Sequence, residues 1–151
     1  MITVLDIQAA VAKALSDNGF NVIANEVKEG FSKPACFVDV LPVQAELQNQ
    51  FEELITDSIE ISYFPNIETR EELVRASEEF KNIFLYHSLP VKDRFLSINS
   101  ITFDAENNTL VAQFDIEFLQ ETNADDTELP KMEEYEERTV MESYGTSTDI
   151  D

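Results

Sequence analysis

Gly30-Phe31-Ser32-Lys33-Pro34-Ala35-Cys36-Phe37-Val38-Asp39-Val40-Leu41-Pro42 is the stretch whose reading decides the fold. A glycine turn runs straight into the most apolar segment of the first half of the chain. Pro34 has a fixed φ and no backbone donor, which suits the first residue of a strand and not its middle. Phe37, Val38, Val40 and Leu41 put apolar side chains on both faces within five positions, so the spacing predicts a strand covered on both sides. Pro42 ends or bends it.

Working outward toward the amino terminus, Phe20 to Val27 reads as a strand that reaches the turn Lys28-Glu29-Gly30 and forms a hairpin with the Pro34 strand. Before it, Thr3 and Asp6 offer a cap and a first-turn acid, and Val4, Ile7, Val11, Ala14 and Leu15 share one helical face. Asn18 and Gly19 stop that helix. Toward the carboxyl terminus, Phe51 to Phe64 reads as a strand in which Ile59, Ile61 and Tyr63 alternate with polar residues. Thr69 and Glu72 form a capping-box pair opening a second helix, whose buried stripe is Leu73, Ala76, Phe80, Ile83 and Phe84. A strand around Phe95 to Phe103, the turn Ala105 to Asn108, and the alternation Leu110, Ala112, Phe114, Ile116, Phe118 then give a second hairpin. The fold class is α+β: a mostly antiparallel four- to five-stranded sheet with two helices packed on one face, over residues 1–120.

Residues 121–151 differ in kind. Acids at 121, 125, 126, 128, 133, 134, 136, 137, 142, 149 and 151 stand against Lys131 and Arg138 alone. The segment reads as an acidic C-terminal tail, solvated or ordered on a neighbour. Over the whole chain 31 acidic and 10 basic residues give a formal net charge of -21. Such a surface repels phosphate and disfavours sequence-specific nucleic-acid binding; it suits a channel wall that DNA must slide past, or imitation of DNA. With no membrane-length apolar run and one cysteine, the chain reads as soluble and intracellular when made.

Catalytic groups are scarce. Cys36 lies in a doubly apolar strand and reads as a small buried hydrophobe, and His87, the single histidine, as a helix-end residue. Glycines at 19, 30 and 145 build no phosphate loop, and the His and Cys count holds no metal site. No enzyme activity and no cofactor is expected. The candidate interaction residues are basic: Lys28 and Lys33 flank the Gly30 turn, and Arg70 and Arg75 sit early in the second helix, placed to dock on an acidic neighbour.

The amino-terminal helix, the Lys28 to Gly30 turn, then Phe31, Lys33, Pro34, Ala35, Phe37, Val38, Leu41 and Pro42, and later Tyr63-Phe64-Pro65 before a capped helix, resemble a tail terminator family encoded in tail modules of phages and prophages of Gram-positive bacteria. The resemblance covers residues 1–119, with Asp39 and the acidic tail as departures. It implies a virion structural protein, assembled in the host cytoplasm, that forms a hexameric ring on the head-proximal end of the tail tube, stops tube polymerisation and offers a surface to the head-tail connector. DNA would pass through its lumen. A head-tail connector or completion protein, and an acidic DNA mimic that inhibits a host protein, are the competing readings.

Overall fold

The alternation read between Leu110 and Phe118 becomes the centre of the sheet. In the computed structural model, which describes residues 1–24 and 30–122, the order is α1 (Val4–Asp17), β1 (Ala35–Leu47), β2 (Glu52–Phe64), α2 (Arg70–Phe80), a π-helical turn (Lys81–Leu85), β3 (Leu89–Val91), β4 (Arg94–Leu96), β5 (Thr102–Glu106) and β6 (Thr109–Glu121). The main sheet is antiparallel in the order β1-β2-β6-β5, and β3 and β4 form a separate two-stranded sheet. The α+β class is as expected.

β2 and β6 pair along almost their whole length, from Glu52 opposite Glu121 to Tyr63 opposite Leu110. Because side chains alternate across a strand, this register stacks Ile59, Ile61 and Tyr63 beside Phe114, Ala112 and Leu110 on one face, with Val38 and Val40 of β1 in the next row. All are buried in one core with Ile7, Val11 and Leu15 of α1, Leu73, Ala76 and Phe80 of α2, and Phe84 of the π turn. Phe84 lies 5.2 Å from Phe114 between ring centroids, and Phe20, just past α1, packs at 5.0 Å on Phe80 and 5.6 Å on Tyr63. Each such side chain contributes on the order of 1.5–3 kcal/mol by leaving water.

Both helices begin at a threonine. Thr3 Oγ1 accepts from Asp6 N at 3.2 Å while the Asp6 carboxylate accepts from Thr3 N at 2.8 Å, a complete capping box. At the second helix only half of the expected box is made. Thr69 Oγ1 accepts from Glu72 N at 3.2 Å, but the Glu72 carboxylate turns away to Arg75 and to the Tyr63 hydroxyl, which donates at 3.3 Å.

Three expectations need correction. The Phe20 strand does not form a hairpin with β1: Val22 makes a single parallel bridge to Cys36, with Ile23 N donating to Cys36 O at 2.9 Å and Cys36 N to Asn21 O at 2.7 Å. The Phe20 ring is drawn into the aromatic core instead, and the described part of the segment lies parallel to β1 at Cys36 rather than antiparallel to it as a hairpin would. β1 also continues through Pro42 to Leu47, with a bulge between Pro42 and Gln44 absorbing the proline at a sheet edge, and Leu41 is exposed rather than covered. Finally, the strand expected over Phe95 to Phe103 is two pieces. Lys92 at φ 54 turns β3 into β4, and β5 begins at Thr102.

The double burial expected of the Pro34 strand holds over Ala35–Val38. Among the described residues an aromatic cluster covers its second face. Phe31 folds back on Phe37 and Phe64 at 4.9 and 5.0 Å, leaving Phe37 buried on the side away from the helices. The two faces differ in how much each aromatic supports. Phe114→Ala is expected to cost about 3–5 kcal/mol in urea unfolding, and Phe31→Ala, at a half-buried site, about 2 kcal/mol.

Candidate interaction surfaces

Away from the Phe31 cluster, the sheet face opposite the helices is polar and open among the described residues. Asp39 stands opposite Glu60, Ser58 opposite Asp115, and Thr56 opposite Glu117, to which its hydroxyl donates at 3.4 Å. Across the four strands the ionisable side chains are Asp39, Glu46, Glu52, Glu53, Asp57, Glu60, Asp104, Glu106, Asp115, Glu117 and Glu121, besides Cys36 and Tyr63; there is no lysine or arginine. Asp39, unexpected in an apolar strand, belongs to this face. The bases of the described residues lie in the helices, the loops and the small β3–β4 sheet.

Beyond the core, the far ends of β1, β2 and β6 extend together as an arm with β1 at its outer edge. From Leu41 to Leu47 every residue of β1 is exposed, and no strand lies on its outer edge among the described residues. The arm carries Leu41, Val43, Leu47 and Phe51 at 53–65% exposure. Its tip is ordered by Asn49, whose Oδ1 accepts from Phe51 N at 2.8 Å and Glu52 N at 3.0 Å. Sequence reasoning did not single out this surface. The available signal was the absence of any base between Lys33 and Arg70 around an apolar segment.

Of the basic candidates, Lys28 lies outside the described residues. Lys33 pairs with Glu68, which also accepts from Asn108 Nδ2 at 3.4 Å, so one carboxylate ties the Gly30 loop, the approach to α2 and the β5–β6 turn. Those partners hold the Glu68 carboxyl below its ordinary pKa. Arg70 begins α2 and has no ion-pair partner among the described residues. Arg75 is engaged by Glu72 and, at 3.7 Å, by Glu79. Five residues apart on a helix, Arg70 and Arg75 face different directions. Among the described residues the structure therefore brings Lys33 near the start of α2 but gathers no basic cluster.

A recess of about 570 Å³ separates α1 from the end of α2. Ala10, Ala14, Phe20, Ile83 and Leu89 form its apolar lining, and Lys13, Asp17, Glu79 and His87 its polar one. Among the described residues no group of three His, Cys, Asp or Glu side chains is placed to hold a metal, and no helix is long and apolar enough to cross a membrane. Burial pushes the Cys36 thiol up to about 12, so it stays protonated near neutrality.

Compared with known families, the chain matches the one described as Phage tail terminator protein over residues 6–128, from α1 through β6. The chain belongs to the phage tail terminator family. It is accordingly a structural component of the phage tail that works in contact with other tail and head proteins. No curated protein matches it. Among solved structures, one whose name states no activity is 11% identical, covers 83% of this chain and 100% of its own, and superposes with a TM-score of 0.47.

One buried group of this terminator-family fold is out of keeping with its surroundings. Asp57 is 3% exposed on the helix-covered face of β2, opposite Pro42 and Ile116. Burial raises its pKa, so the folded protein holds the proton more tightly than the unfolded chain. The charged form then costs stability at neutral pH, and the cost disappears as pH falls through the raised value to below the ordinary one near 4. Asp57→Asn is expected to melt at a higher temperature than the parent at pH 7, with the gap closing in acid.

Proposed function

We propose that this protein forms a ring, hexameric, on the head-proximal end of the tail tube, where it ends tube polymerisation and offers a joining surface to the head-tail connector. The observation that carries the reading is the open sheet face bearing Asp39, Glu60, Asp115 and Glu117, in a sheet whose four strands contain eleven acids and no lysine or arginine. Turned toward a ring's lumen, such a face repels the phosphates of passing DNA and lets it slide without sticking. Nothing in the role calls for catalysis or a cofactor. Assembly takes place in the host cytoplasm before the protein is carried in the virion.

Within this reading residues 1–120 are the ring-forming domain and 121–151 an acidic tail, solvated or ordered on a neighbouring protein, of which 123–151 lie outside the described residues. The loop of Lys28 and Lys33, with Arg70 and Arg75 early in the second helix, docks on an acidic neighbour. The Lys33–Glu68 pair is exposed, and pairs of that kind contribute little, so Lys33 exchanges partners at small cost.

The test is imaging of cognate tail tubes incubated with gold-labelled protein while tube growth is followed. Label at one tube end with arrest of growth is expected; label on the capsid vertex alone would replace this reading with that of a connector. Reversing the loop charges, Lys28→Glu with Lys33→Glu, is expected to weaken capping about tenfold or more while leaving the melting temperature nearly unchanged. Unaltered capping would remove the loop from the contact.

A further inference from the structure

We draw no further inference here: the strongest candidate, the apolar patch that Pro90 and Phe95 present side by side on the exposed face of the β3–β4 sheet, has its neighbouring bases engaged within the chain, Lys92 by Asp6 and Arg94 by the Leu119 carbonyl, and nothing in the structure shows what covers it.

Discussion

The pairing of β2 with β6 is the constraint on which the rest of the structure depends. Side chains alternate with a period of two, so a slip of one residue would carry Ile59 and Ile61, or Ala112 and Phe114, from the helix-covered face to the solvent face. The loss of several buried side chains at once makes that register far more stable than its neighbours. With it in place, β1 adds its own apolar row. The α1 stripe and the Phe80 and Phe84 rings then have a single continuous surface to cover.

The same alternation separates two chemistries. One face of the sheet is a hydrocarbon surface interrupted by Asp57, and the other is a field of carboxylates sealed at one end by Phe31, Phe37 and Phe64. The described bases sit elsewhere, largely in local pairs with acids of the helices and loops, such as Lys13 with Asp17 and Lys33 with Glu68. Exposed pairs of this kind contribute little to stability. Their consequence is a chain whose sheet is acidic and whose helical layer is nearly balanced. That asymmetry favours contacts between unlike parts of two molecules.

Much of the fold was legible because its signals are local. Thr3 with Asp6 announced the first helix, the stripe through Phe80 and Phe84 the second, and the alternation of β6 its burial almost residue by residue. Where the reading failed, a distant contact overrode a local preference. Phe20 to Ala24 has the composition of a strand, but the Phe20 ring packs on Tyr63 and Phe80 and the segment keeps a single parallel bridge to β1. Pro42 looked like an ending because it lacks a donor; at an outer edge beside a bulge it needs none. Residue type and position place Arg70 and Arg75 early in the second helix, which says nothing of the direction in which they point.

The sequence by itself determined the class of fold, the alternation of the central strands, the helix starts and the acidity, since each follows from residue type at fixed spacing. It also carried the resemblance that membership in the tail terminator family bears out. Only the tertiary structure decided which face of the sheet the helices cover, that the acids of four separate segments converge on the other, and that β1 outruns the core to leave an apolar arm. Those features depend on register and on how far each strand extends beyond its neighbours. Both are set by contacts between residues remote in the chain, and no local pattern records them.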